Sequence, residues 1–397
     1  MKIVFITSKL NFTGAGGSVE EIDIIARTLM KLGNEVVVIT AFSHFNDINQ
    51  ILPYKVVEER ISSGRMLGIQ RGVFELLKKY EDQADFFHVD HLFLYGAGFY
   101  RRIGGKIPIV LLFNQFMTCL PDIAPTLFPR KKSFFVRLKQ KIRFYVEKYI
   151  GVPIANGIDI FAIVSPPLKK MYEDFGIRGR LCNIVLGDPT DFRQIMTEGG
   201  TEKDSYIKRN KRQGSFIIFY SSRMVSGKGF DLLLDGFSKV KNKDNFRLIL
   251  GGSGPEEKII HKMAFDLNLE KYVTFPGWVS RKQLFSYYKN ADIFIQVGWR
   301  PEGTSISLQY AMAFGIPSIL PGGGGLEWVA KDSAIYVKNG DPYDLAEKIE
   351  KLAGDYDLRA TLSRNCYRRI SDDEMNYEMN IRRLFEKMKE LVNLKTP

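Results

Sequence analysis

The chain has 397 residues, 45% apolar and 26% charged, a length for two or three domains and a composition that excludes a largely disordered protein. No apolar run approaches the roughly 18 residues of a membrane span, the best being Ile107 to Phe113 with Pro108 inside it. A net charge of +12, from 57 Lys+Arg against 45 Asp+Glu, points to an anionic partner: nucleic acid, a membrane surface or a phosphorylated ligand.

Met1 to Thr7 reads as a buried strand, followed by a glycine-rich loop and an amphipathic helix from Ser18 to Leu32 that Gly33 stops. Glu35 to Thr40 (EVVVIT) is a second buried strand. Strand, helix and strand with continuous apolar strands predict a parallel sheet covered on both faces. Further strands are expected at Phe86 to Val89, Ile107 to Phe113 and Ile160 to Val164, then a helix from Leu168 to Phe175 behind Pro166-Pro167. Thr201 to Gly214 is polar and charged and reads as a surface loop. The pattern then restarts. Strands are expected at Phe216 to Tyr220, Phe246 to Leu250, Tyr272 to Phe275 and Asp292 to Val297. Helices are expected at Gly229 to Val240, Glu256 to Leu267, Arg281 to Lys289 and Ser305 to Phe314. Asp372 to Val392 is a charged helix with an apolar side. Two α/β runs predict two Rossmann-like domains facing across a cleft. The N-terminal, acceptor-binding domain is expected over residues 1–187 and the C-terminal domain over 188–370, with the last helix (371–397) crossing back to the first. The N-terminus is too poor in apolar residues for a signal peptide, and Cys119, Cys182 and Cys366 form no metal or disulfide pattern, so a reducing, cytoplasmic setting is expected.

Four glycine-bearing loops stand out. Thr13-Gly14-Ala15-Gly16-Gly17-Ser18 lies before the first helix, where free N–H groups attract anions. It fails the dinucleotide fingerprint, because Val19 stands where the third glycine belongs, and Thr40 rather than an acid closes strand two. Those two failures argue against a nicotinamide oxidoreductase. Arg223 and Lys228 flank Gly227 after a strand, placed to clamp a pyrophosphate. Gly252, Gly254 and Pro255 form the next loop. Glu302-Gly303-Thr304-Ser305-Ile306 opens a helix whose positive end can receive phosphate oxygens. Gly322 to Gly325, followed by Glu327, is either a mobile loop or a backbone wall around a sugar ring. The DxD spelling Asp355-Tyr356-Asp357 reads as a late surface loop, so no metal site is expected.

In order, these motifs resemble the nucleotide-sugar-binding domain of retaining GT-B glycosyltransferases, family GT4 (glycosyl transferases group 1). The likeness runs from Phe216 to about Arg369. It rests on Arg223 and Lys228, on Gly252-Ser253-Gly254-Pro255, and on Val273, Phe275 and Gly277. It continues through Tyr287, Tyr288, Ala291 and Asp292, then Glu302-Gly303 with Ala311, Met312, Ala313, Gly315 and Pro317, and finally Gly324, Gly325 and Glu327. Phe113 to Pro121 is similar to a family segment of the first domain. Two positions depart. Tyr310 stands where the family has the ribose-binding glutamate, with Gln309 beside it, and Asn114 stands where it has a histidine. The resemblance implies sugar transfer from a UDP- or GDP-sugar, with retention and without a metal or other cofactor. Arg223 and Lys228 would hold the diphosphate, Glu302 the sugar hydroxyls, and Asn114 would stand near the reacting sugar, these four being the catalytic candidates; Gly16, Gly17, Gly252, Gly254, Pro255, Gly303, Thr304, Ser305, Ile306, Tyr310 and Glu327 would complete the donor pocket. A catalytically inactive GT-B binding or partner subunit is the alternative.

The charge is unevenly spread. Residues 1–190 have an excess of seven basic groups, and Phe128 to Ile150 alone has an excess of seven. Arg130, Lys131, Lys132, Arg137, Lys139, Lys141 and Arg143 surround Phe134, Leu138, Ile142, Tyr145 and Tyr149, which share one face of a helix. That helix either packs on its own domain or lies on an anionic membrane with a glycan or lipid-linked acceptor nearby. Nucleic acid is disfavoured, since no nucleic-acid module is visible. The whole reads as a cytoplasmic enzyme, peripheral on the inner face of a membrane.

Overall fold

The computed structural model describes residues 1–12, 17–62, 64–113, 134–183, 215–298 and 302–393. Gly16, Asn114, Arg130, Lys131, Lys132 and the stretch 201–214 lie outside them. The described residues divide into two compact units: 1–113, 134–183 and 376–393 in one, 215–375 in the other.

In the first unit, runs of β-branched and aromatic residues bury both faces, which suits parallel strands. The strands are β1 (Lys2–Thr7), β2 (Glu35–Thr40), β3 (Lys55–Glu58), β4 (Phe86–Asp90), β5 (Ile109–Phe113), β6 (Ile160–Ile163) and β7 (Arg180–Asn183). They form one sheet in the order β3-β2-β1-β4-β5-β6-β7, and every adjacent pair is parallel. β1 and β2 pair from Lys2 opposite Glu35 to Thr7 opposite Thr40. The last helix, Tyr377–Asn393, turns Tyr377, Ile381, Leu384 and Met388 into this unit's core, beside the first helix, Gly17–Lys31.

The second unit holds β8 (Phe216–Ser221), β9 (Phe246–Gly251), β10 (Val273–Thr274), β11 (Ile293–Ile295), β12 (Ser318–Pro321) and β13 (Ala334–Val337). Their order is β10-β9-β8-β11-β12-β13, again all parallel. Counted within its own unit, each sheet runs third, second, first, fourth, fifth, sixth, and the first sheet adds a seventh strand beside its sixth. The direction of winding reverses beside the first strand, between β1 and β4 and between β8 and β11. In open parallel sheets ligands bind at such a point, outside the carboxyl ends of the strands. The expected pair of Rossmann-like sheets is therefore present. Among the described residues no helix is long and apolar enough to cross a membrane.

Several elements went unforeseen, among them β3, β7, β13 and the helices Met66–Lys79 and Leu94–Arg102. The DxD spelling lies on the surface, as expected, with Asp355 between the helices Pro342–Gly354 and Tyr356–Ile370. The Asp355 carboxylate accepts from the Leu358 N–H at 2.8 Å and caps the helix in whose first turn Asp357 sits.

Candidate active site

Every candidate in the second unit follows the carboxyl end of a strand. After β8 the chain runs Ser222-Arg223-Met224 and turns at Gly227 into the helix Phe230–Ser238. The Met224 N–H donates to the Ser253 carbonyl at 2.8 Å, and the Glu256 N–H donates to the Met224 carbonyl at 3.0 Å. The loop after β9 is thus bonded along the loop after β8. Only glycine permits this at 252. Its φ is +122°, and a Cβ there would stand 1.8 Å from the Ser222 carbonyl oxygen. On the other side, the start of the β8 helix closes on the loop after β11, where a Cβ at Gly229 would meet the Val297 carbonyl at 2.5 Å.

This packing sets Lys228 in front of Glu302. The Tyr220 hydroxyl donates to the Lys228 carbonyl at 2.8 Å and fixes the backbone of the lysine. Lys228 Nζ then donates to Glu302 Oε1 at 2.6 Å, with 26% and 18% of the two side chains exposed. Burial, then the nearby Glu302 charge, pushes the Tyr220 hydroxyl far up, so it stays a neutral donor. The backbone of 302–303 is pinned from behind. The Gly325 N–H donates to the Glu302 carbonyl at 3.2 Å, and a Cβ at Gly325 would lie 1.8 Å from the Gly303 oxygen. Arg223 is exposed and has no acidic partner among the described residues.

Ser305 caps the helix Ile306–Ala313, accepting from the Leu308 N–H at 3.2 Å and donating to Gln296 at 2.7 Å. That cap leaves the N–H groups of Ile306 and Ser307 at the positive end of the helix for another acceptor. The Gly323 N–H donates to the Glu327 carboxylate, so this side chain braces its own turn. Beyond it, Arg369 is 2% exposed and donates to the Val329 carbonyl at 2.9 Å and the Trp328 carbonyl at 3.1 Å. It also bonds Asp372 at 2.8 Å and Glu374 at 2.9 Å. The sequence did not single it out, yet it holds the far end of the Gly324–Ala330 helix.

The second unit therefore gathers Arg223, Lys228, Gly252, Gly254, Glu302, Gly303, Thr304, Ser305 and Ile306 along one edge, with Pro255 exposed beside them. Tyr310 differs. It is 3% exposed, and its ring packs on Phe285 at 5.1 Å and Tyr288 at 6.0 Å between ring centres. It is a core residue rather than a donor contact, because a phenol in this aromatic cluster gains more from burial than from solvent. Gln309 is fully buried too.

In the first unit, Gly17 opens the first helix. At the reversal point the Thr7 hydroxyl donates to the Asp90 carboxylate at 3.4 Å. His91 comes next and lies 5.5 Å from the ring of Phe113, the residue before Asn114. Burial pushes its imidazole down to about 4, against the opposing pull of Glu147, so it is neutral near pH 7. No motif spacing marks it in the sequence, where it is a single histidine following β4.

The basic segment is a helix, Phe134–Val146, continued by a π turn, Glu147–Gly151. Lys139, Lys141 and Arg143 are exposed, while the side chain of Arg137 lies outside the described ones. The reading in which the apolar face packs on its own domain is overturned: Leu138, Ile142, Tyr145 and Tyr149 are all exposed. What packs inward is Phe144, on Phe175 at 5.5 Å, and the buried Glu147.

Residues 202–369 match the family described as glycosyl transferases group 1. Over 214 residues the chain is 30% identical to the GDP-mannose-dependent alpha-(1-6)-phosphatidylinositol monomannoside mannosyltransferase of Mycobacterium tuberculosis, covering 51% of this chain and 55% of that one. Over 370 residues it is 23% identical to the alpha-monoglucosyldiacylglycerol synthase of Streptococcus pneumoniae, covering 90% of this chain and 80% of that one. The chain spans about half the length of the curated relatives it matches, 46% and 39% for two more of them. Among solved structures, Anabaena HepE in complex with UDP-glucose has a TM-score of 0.67 at 17% identity, over 97% of this chain and 99% of that one. The chain therefore has the GT-B fold, and its residues 202–369 are similar to the glycosyl transferases group 1 family.

Proposed function

We propose that the protein is a retaining glycosyltransferase. It moves a sugar from a nucleoside diphosphate sugar to a glycan or lipid-linked acceptor in cell-surface polysaccharide or glycolipid synthesis. The observation that carries this reading is the Lys228–Glu302 pair, locked at 2.6 Å where three glycine-bearing loops meet beside the reversal point of the second sheet. A diphosphate sugar has an anionic half and a hydroxyl-bearing half. A cation and a carboxylate in contact suit the junction of the two.

As the bond from the anomeric carbon to the diphosphate breaks, negative charge grows on the leaving oxygen. Lys228, Arg223 and the N–H groups of Ile306 and Ser307 offset that charge from fixed positions, which is the larger part of catalysis at such sites. No metal is required in this scheme. Glu302 accepts hydrogen bonds from the sugar hydroxyls. Asn114 and the neutral His91 serve the acceptor side. UDP-sugar and GDP-sugar donors are both supported, by HepE and by the mycobacterial relative respectively. The enzyme works on the cytoplasmic side, with its basic segment against an anionic membrane surface.

Thermal-shift measurements with UDP-, GDP- and ADP-sugars test the donor half, since a ligand bound to the folded state raises Tm. Turnover of the stabilising donor should fall by about 10²–10³ in Glu302→Gln and Arg223→Ala. The reading fails if no nucleotide sugar shifts Tm. If one binds but is never turned over, and Glu302→Gln changes nothing, the chain is a non-catalytic GT-B binding subunit instead.

A further inference from the structure

The carboxyl edge of the first sheet carries a group of side chains that the donor cradle leaves unused. Lys9 stands two residues past β1, a short turn after β2 presents His44 and Phe45, and Arg60 stands two residues past β3. These strands are neighbours in the sheet, and β1 borders the reversal point. Outward from that point the edge therefore offers a cation, an aromatic ring and a second cation.

The ring is held on a fixed frame. The Asp47 N–H donates to the Leu10 carbonyl at 2.8 Å, and the Phe12 N–H donates to the Asp47 carbonyl at 3.0 Å. The Asn46 side chain accepts from the Leu10 N–H at 2.9 Å, and the Asn11 amide donates to the Phe45 carbonyl at 3.3 Å. On the other side the Ser43 N–H donates to the Glu59 carbonyl at 3.2 Å. The loops after three strands are thus bonded together. An aromatic side chain on so constrained a turn loses little further freedom when a ligand covers it.

Phe45 is nevertheless 49% exposed. The His44 ring lies 4.0 Å from it between ring centres, and Lys9 Nζ stands 5.5 Å from its centre. A lone exposed apolar side chain is ordinary, whereas one set between cations points to a ligand. Lys9 and Arg60 have no acidic partner among the described residues. The glutamates at the end of β3 are engaged elsewhere, Glu58 by Asn46 at 2.9 Å and Glu59 by Lys79 at 2.6 Å. Neighbouring strands lie about 4.8 Å apart, so β1 and β3 stand about 10 Å apart across β2, a span that one substituted pyranose fills. A pyranose has an apolar C–H face for the ring, and a phosphate or carboxylate on it gives the cations an anion. An inorganic anion would leave the ring bare, and a neutral sugar would leave the cations unpaired.

We infer that this edge is an acceptor subsite for an anionic saccharide: a sugar ring bearing a phosphate or a carboxylate stacks on Phe45, and Lys9 and Arg60 hold its charged group. Its role as acceptor rests on the glycosyltransferase reading above, whose acceptor class it narrows. The receiving hydroxyl lies on the β1 side of Phe45, nearest the reversal point.

NMR titration of the full chain tests it, in an Arg223→Ala background that weakens phosphate binding at the donor loops. The probes are methyl glucoside, methyl glucuronide, glucose 1-phosphate and inorganic phosphate. At least one charged sugar is expected to bind about tenfold or more tighter than methyl glucoside, and which one does so tells carboxylate from phosphate. Phe45→Ala should weaken that sugar about fivefold. Lys9→Met with Arg60→Met should bring it level with methyl glucoside. The three side chains are partly or fully exposed, and an unshifted Tm shows that each variant is folded. Four results overturn the inference: no sugar binds, neutral and charged sugars bind alike, inorganic phosphate matches the tighter charged sugar, or Phe45→Ala changes nothing. No nucleotide sugar enters this titration. It can therefore fail while donors still raise Tm, or succeed while the glycosyltransferase reading fails.

Discussion

The two sheets share one strand order, yet their carboxyl edges are built in opposite ways. In the second unit the loops after β8, β9 and β11 are bonded backbone to backbone, with glycines where a methyl group would strike a carbonyl. The first unit has, between β5 and β6, a helix whose Leu138, Ile142 and Tyr145 stand in solvent. Among the described residues, one edge is closed by its own backbone bonds, and the other carries a helix with exposed apolar side chains. The topology fixes where a site can be, and the loops decide whether it is a rigid cradle or an attachment face.

That contrast can be broken from either side. The largest effect is expected at Arg369, which has four partners and is nearly fully enclosed. Arg369→Met would leave Asp372 and Glu374 without it and release the Val329 and Trp328 carbonyls. Urea unfolding should show a loss of about 3–5 kcal/mol. Next comes Gly252→Ala, a left-handed backbone position with a carbonyl at 1.8 Å from the new Cβ. It should cost about 1–3 kcal/mol of stability and weaken the donor-dependent Tm shift. If Ala is neutral there, the cradle is not rigid.

A pH effect belongs to the first unit. Burial alone would raise the Glu81 carboxyl, but hydrogen bonds from the Lys106 N–H, the Tyr100 hydroxyl and Lys78 outweigh it and hold the group down at about 2. A depressed folded-state value adds stability above the unfolded value near 4.5 and surrenders it as pH falls from there toward 2. Glu81→Gln should flatten that acid limb of the stability curve. The smallest effect is on the helix Phe134–Val146. Leu138→Ser should change unfolding free energy by no more than about 0.5 kcal/mol, because Leu138 is already exposed. A large loss would mean that this side of the helix packs on the protein after all.

Much of this architecture is written in local pattern. KIVFIT, EVVVIT and the strand ending at Phe113 carry both-face burial openly, and glycines mark each loop that approaches another backbone. The shorter strands are not legible. β10 has two residues, and β3 is a half-exposed KVVE whose identity depends on pairing with β2. Periodicity finds the stripe Leu138, Ile142, Tyr145 and Tyr149 but not its partner, since a helical wheel records which side chains align and not what they face. Tyr310 was misplaced because a motif position carries geometry only while the residue type suits it. A tyrosine beside Phe285 and Tyr288 turns inward where a glutamate would not. His91 was overlooked because one histidine after a strand has no spacing to announce it.

The closing helix has a consequence for how the protein is made. Ile381, Leu384 and Met388 fill the core of a unit whose other residues end, among those described, at Asn183. During synthesis the first sheet emerges early, with the seat for that helix empty. It waits while the whole second unit is translated, at about 5–20 residues per second. For that interval the nascent chain carries an uncovered apolar trough that only its own last turns can fill. A ribosome stalled near the end would release a finished second unit attached to an unfinished first one.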